Sequence, residues 1–211
     1  MGQPILIRPS SPAEAWQAIL EGNSRFVSGA PAHPRQDFDH RNSTFETQHP
    51  FAALFGCSDS RLSAEIIFDV GLGDLFVVRN AGQVIAETIL GSLEYAVEVL
   101  QVPLILVLGH DECGAIRATM DSAEGKLTAQ GTFIHNLVSR IAETVSEAKA
   151  HGLTEIDEIT VLHVKDTINE MIARSELIQS RIESGKLAVV GANYALSLGE
   201  VKPIQVVGNL V

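Results

Sequence analysis

Continuous apolar runs recur along this 211-residue chain, and they constrain its fold more than any other feature. FAALFG (51–56), LFVV (75–78), PLILVLG (103–109) and AVVGANY (188–194) read as strands, with PIQVVG (203–208) as a possible edge strand. A strand that is apolar on both faces must be covered on both faces, as in a parallel sheet between helical layers. Stretches with helical spacing lie between the runs: SAEIIFD (63–69), VIAETILGSLEYAVEVL (84–100), FIHNLVSRIAETVSEAKA (133–150) and a long helix within 155–183. This alternation specifies an α/β fold, doubly wound, with a mainly parallel sheet of expected order 2-1-3-4 flanked by helices.

Ahead of the first strand the pattern changes. Residues 13–28 place Trp16, Ile19, Leu20 and Phe26 near helical spacing, but Gly22 and Asn23 interrupt the run, so one or two short helices are expected. Residues 30–50 are polar, aperiodic and rich in Pro and His, and a connection of that length usually has a function or a partner. The expected organisation is effectively one domain: 1–50 as N-terminal helices and a partner-wrapping arm, 51–211 as the α/β core.

The formal charge of −11 offers no basic stripe to a nucleic acid or an anionic membrane. The longest apolar stretch, near 102–108, falls far short of the roughly 20 residues that span a bilayer. The opening MGQPILIRPSSP has no charged region ahead of an apolar core, and the expected location is cytoplasmic. In that setting a pair of cysteines, Cys57 and Cys113, is more often metal-binding, catalytic or simply buried than disulfide-bonded.

Two strand ends carry the chemistry. The first runs FAALFG-CSDSR and presents Cys57, Asp59 and Arg61 at alternate positions between small serines. The third runs LILVLG-HDECGA and presents His110 and Cys113 three residues apart. In doubly wound sheets ligands sit beyond the carboxyl ends of strands where the winding reverses, which for order 2-1-3-4 lies between strands 1 and 3. Two thiolates and an imidazole suit zinc in tetrahedral geometry, and three protein ligands leave a fourth position open for chemistry. Asp59 could fill that position or bond to a bound water, and Arg61 is placed to hold its carboxylate in a bidentate pair.

Plainer readings stand beside this one. Paired cysteines in an α/β core are commonly inert buried thiols. The other histidines (33, 40, 49, 135, 151 and 163) show no partner pattern and are expected in loops or on helix surfaces. Gly71-Leu72-Gly73 lacks the third glycine and preceding strand of a dinucleotide loop, and no phosphate-binding Walker motif occurs.

The C-S-D-S-R motif followed by H-x-x-C, with AEIIFD, GDLFVVRNAG and GSLEYAVEVL between, resembles the β-class carbonic anhydrases. The resemblance implies a zinc lyase that interconverts carbon dioxide and bicarbonate, assembled as a homodimer or homotetramer. Position by position, it makes Cys57, His110 and Cys113 the ligands of one Zn²⁺ per subunit. Asp59 and Arg61 become the catalytic dyad, with Asp59 a possible fourth ligand in a closed state. It assigns the substrate pocket to Gln48, Phe76, Ala81, Tyr95 and Gly114, partly across a subunit interface. Ala81 stands where many members carry valine. Arg79 and Tyr194 align with two parts of a bicarbonate-sensing site, but Leu54 replaces its tryptophan.

The implied mechanism is attack on carbon dioxide by zinc-bound hydroxide, the metal lowering the pKa of water from about 15.7 toward about 7. A hydrolase of carbonyl sulfide or carbon disulfide would use the same ligands. A zinc or redox protein without turnover would not need Asp59 and Arg61.

Overall fold

A computed structural model of the chain describes residues 8–126 and 131–210. The sheet has five strands in the order β2-β1-β3-β4-β5: β1 (Ala52–Cys57), β2 (Leu75–Asn80), β3 (Leu104–His110), β4 (Ala188–Ala195) and β5 (Glu200–Val207). The first four are parallel and β5 joins the edge antiparallel to β4, so the expected order and the edge strand both hold.

The continuous apolar runs have the cause inferred for them. Ala52 and Leu54 of β1, with Leu104, Leu106 and Leu108 of β3, face one core layer, together with Ala188, Val190 and Ala192 of β4. The alternate residues Ala53, Phe55, Ile105, Val107 and Val189 face the other. The first layer is roofed by α1 (Pro12–Val27) and α3 (Ala64–Ile67). The second is roofed by α4 (Glu87–Glu98), α7 (Ile156–Arg174) and α8 (Glu176–Glu183). A smaller cluster joins Cys57 and Cys113 to α5 (Gly114–Ala123), α6 (Thr132–Ala150) and the start of α7.

Helix α1 is continuous, begun by a capping box between Ser11 and Glu14 with Pro12 in its first turn. Gly22 and Asn23 do not interrupt it; they lock it down. A Cβ at Gly22 would stand 1.7 Å from the Phe68 carbonyl oxygen, so only glycine permits this approach. The buried Asn23 amide donates to the Ile67 and Gly199 carbonyls at 3.2 and 2.8 Å and accepts from the Val201 N–H at 2.9 Å. The first helix therefore packs on its own core. The arm beyond it is held at the base: Arg35 pairs with Asp74, while Asp69 accepts from Arg25 and from the backbone of Ala32 and His33. Within the arm, α2 (Phe38–Ser43) is capped by Asp37, and Phe38 and Phe45 stand 63% and 88% exposed.

Three helical details differ from expectation. Of the stretch 84–100 only Glu87–Glu98 is helix, as α4, and a separate 3-10 turn, Ala81–Gln83, precedes it. The long segment 155–183 breaks at Ser175, whose extended backbone ends α7 and whose hydroxyl caps α8 through the Ile178 N–H. Helix α5, absent from the expected elements, starts immediately after Cys113.

Candidate metal centre

Strands β1 and β3 are neighbours in parallel register, Gly56 opposite Leu108, so both leave the sheet at one edge of the fold. Cys57 ends β1, His110 ends β3, and Cys113 occupies the N-cap position of α5 after a two-residue turn. One ligand atom from each of the three lies within 4.8 Å of the others, and all three residues are buried.

The His110 ring shows which way its lone pair faces. Nδ1 lies 2.9 Å from the Asp111 carbonyl oxygen and so carries the proton, whereas the buried Nε2 has no partner among the described residues. An orphaned imidazole nitrogen between two buried thiols is costly unless a cation takes it. The donor set fits zinc, and Nδ1 anchoring by a carbonyl is the usual outer support of a metal-binding histidine.

The thiols are poised for this. Hydrogen bonding to Cys113 draws the Cys57 thiol well below its usual range, against the opposing effect of burial, with the Gly82 and Asp59 backbone adding to it. Cys113 is pushed up in turn, first by sharing that bond and then by burial. The shared bond draws the two thiols apart in acidity, and a divalent cation favours the thiolate form of both.

Asp59 and Arg61 form the expected pair. The Arg61 backbone N–H and Nε both donate to Asp59 Oδ1 at 2.9 Å, and Nη2 donates to Oδ2 at 2.7 Å. These bonds hold the carboxyl well below the usual carboxylate range, burial opposing them. Oδ2 lies 4.0 Å from His110 Nε2, so the pair borders the cluster. A second arginine fixes the loop: Arg79 of β2 donates from Nε to the Cys57 carbonyl at 2.9 Å and from Nη2 to that of Asp59 at 2.6 Å. The pairing of β2 beside β1 is what brings it there.

The expected pocket residues are placed unevenly. Ala81 follows β2, and Gly114 opens α5 beside Cys113; both are exposed. Phe76 and the half-exposed Tyr95 contact each other, with ring centroids 6.0 Å apart, at the outer edge of the sheet. Phe76 pairs with Ala53, four register positions before Cys57, which puts it roughly 13 Å along the strand from its own cluster. Gln48 is exposed on the arm and makes no hydrogen bond among the described residues. A cavity of about 450 Å³ lies away from the cluster, at the amino ends of β1 and β2, between the arm and α1.

One histidine expected in a loop or on a helix surface is neither. His163 is 4% exposed on α7, and its Nε2 lies 2.7 Å from the Gly82 carbonyl oxygen. The Gly82 N–H donates to Cys57 Sγ at 3.3 Å. Spacing carried the signal: His163 falls on the buried stripe Ile156, Ile159, Thr160, Val164, Thr167, Ile168 and Met171.

A sequence model of the family described as Carbonic anhydrase matches residues 52–201. The chain is 48% identical over 201 residues to Carbonic anhydrase 2 of Mycobacterium tuberculosis, covering 95% of this chain and 97% of that one. It is 46% identical to a carbonic anhydrase of Mycolicibacterium smegmatis, over 92% and 93% of the two chains. A solved Coccomyxa β-carbonic anhydrase, in complex with acetazolamide, superposes with a TM-score of 0.70 at 27% identity, over 90% of this chain and 86% of that one.

Proposed function

The chain belongs to the β-carbonic anhydrase family, and on that premise we propose that it interconverts carbon dioxide and bicarbonate using one zinc ion held by Cys57, His110 and Cys113. The observation that carries this reading is the trio of buried donors, with the orphaned His110 Nε2 among them, beside the Asp59–Arg61 pair. Zinc bound there supplies a Lewis acid that makes water nucleophilic near neutral pH.

The chain's own residues do the rest. Asp59, kept ionised by Arg61, has acceptor capacity left to take a hydrogen bond from the attacking water and orient it. Arg61 holds the carboxylate in a bidentate pair beside the cluster, and Arg79 fixes the backbone that carries both ligand and dyad. Ala81 and Gly114 give the small, apolar surround that a linear, uncharged substrate needs. A reducing compartment such as the cytoplasm suits the site, because a disulfide between Cys57 and Cys113 would remove two ligands.

Phe76, Tyr95 and Gln48 complete the pocket from a second copy. Supporting this, Val77, Tyr95 and Val99 form an exposed apolar edge along β2 and α4, and Phe45 projects from the arm. The arm, rather than α1, is the part that wraps the partner. Among the described residues no helix is long and apolar enough to cross a membrane.

Stopped-flow assays of the zinc-loaded chain with carbon dioxide, carbonyl sulfide and carbon disulfide test the activity. Hydration of carbon dioxide is the expected dominant reaction; hydrolysis of either sulfur compound without it overturns the assignment. Light scattering at two or four chain masses is expected, and a fully active monomer removes the shared pocket.

A further inference from the structure

The 3-10 turn Ala81–Gln83 passes beside Cys57 with two successive residues in left-handed backbone, Gly82 at φ +72° and Gln83 at φ +42°. A Cβ at position 82 would stand 2.8 Å from Ala115 Cβ and from Ile141 Cδ1, so glycine is required by both backbone and space. Gln83 carries a side chain in a conformation that persists only where its surroundings hold it.

Those surroundings are one turn of α7. The His163 ring donates from Nε2 to the Gly82 carbonyl at 2.7 Å, and Thr167, four residues on, donates its hydroxyl to the His163 carbonyl at 2.7 Å with the Gln83 carbonyl 3.5 Å away. Because Nε2 faces a carbonyl, it carries the proton, and the buried Nδ1 has no partner among the described residues. Burial also drives this ring toward its neutral form. The Gly82 N–H, on the other side of the turn, donates to Cys57 Sγ. An N–H bond to a thiolate withdraws charge from sulfur, so its aim governs how strongly that sulfur donates to a metal.

We propose that His163 is a positioning residue for the metal centre: it pins the Ala81–Gln83 turn so that the Gly82 N–H stays aimed at the Cys57 sulfur and tempers that ligand's donor strength. The proposal rests on the reading of Cys57 as a metal ligand. His163 touches neither substrate nor metal; it acts through the turn.

The test uses the full chain loaded with cobalt(II), as wild type, His163→Leu and His163→Gln. Leucine fills the space without a donor, whereas glutamine can still donate to the Gly82 carbonyl. All three should bind one cobalt per chain. The sulfur-to-cobalt charge-transfer band should move to longer wavelength in His163→Leu and return toward the wild-type position in His163→Gln. A folded, loaded His163→Leu protein with an unmoved band overturns the proposal, since a merely structural histidine would lower thermal stability alone.

Wild-type protein loaded with cadmium-113 gives an answer that does not depend on a variant folding. The Gly82 amide proton should show scalar coupling to the metal through Cys57, and the His163 ring should be protonated at Nε2. Absence of the coupling, or protonation at Nδ1 instead, overturns the proposal. Failure of the wild type to take up either metal overturns the metal reading itself, which is a distinguishable result.

Discussion

Asn23 is the residue whose removal should be felt most sharply outside the metal centre. Its buried amide closes three hydrogen bonds, to the Ile67 and Gly199 carbonyls and from the Val201 N–H, joining α1 to the end of α3 and to the β4–β5 hairpin. Asn23→Ala removes one hydrogen bond from each of two carbonyls and one N–H at a site 4% exposed. Each such group costs about 1–3 kcal/mol when dry; partial entry of water brings the total to about 3–5 kcal/mol. For a chain of this size that lowers Tm by roughly 10 °C.

Asn23→Asp should be worse than alanine at neutral pH, because a carboxylate oxygen would then face two carbonyl oxygens. Its folded-state pKa would be raised above the unfolded value. The aspartate variant therefore regains stability as pH falls through that raised value, when a protonated carboxyl can again donate. Calorimetric scans of the three proteins between pH 4 and pH 8 would measure both effects. An alanine variant within about 1 kcal/mol of wild type would refute the view that this residue latches the first helix to its own sheet.

Four further outcomes follow from the site. Cys57→Ser and Cys113→Ser each exchange a thiolate for a hydroxyl that stays protonated at neutral pH, so zinc content and hydration activity should both collapse, as elemental analysis with stopped-flow assay would show. Arg61→Ala leaves Asp59 only the backbone bond of the three it now accepts, and hydration should fall at least 100-fold with zinc retained. Because the Asp59 carboxyl is held low, its ion pair stabilises the fold above the unfolded carboxylate pKa of about 3.9 and is lost only as pH falls through the lower folded value; hydration activity should rise from neutral to alkaline pH in a pH–rate profile, and that rise cannot be the titration of Asp59. Bicarbonate should inhibit without cooperativity, since Leu54 is buried in the sheet core where a sensing site would need an indole, and Arg79 is occupied by two carbonyls; a sigmoidal inhibition curve would contradict this.

The strands were legible because burial on both faces leaves an unbroken apolar run, and the cluster was legible because parallel neighbours end at one place. What sequence reading lost was lost for physical reasons. Gly22 and Asn23 look like a helix break, yet one permits contact with the Phe68 carbonyl and the other satisfies buried backbone groups. His163 looks like a surface residue by polarity, although its spacing on α7 places it inside, where a carbonyl satisfies its Nε2. Helix α5 is short and carries Arg117, Thr119, Asp121 and Ser122 among its apolar residues, too weak a pattern to stand out. Gln48, Phe76 and Tyr95 do not surround the cluster of their own chain, so their role depends on how two copies meet.

Metal-dependent hydration at Cys57, His110 and Cys113 is tested directly by one titration. Carbon dioxide hydration is followed by stopped flow while zinc is removed from the full chain by a chelator and then returned in fractions of an equivalent. Activity should vanish with the metal and recover linearly, reaching its maximum at one zinc per chain. A stripped chain that still hydrates carbon dioxide, or a chain loaded with one zinc that does not, would contradict it.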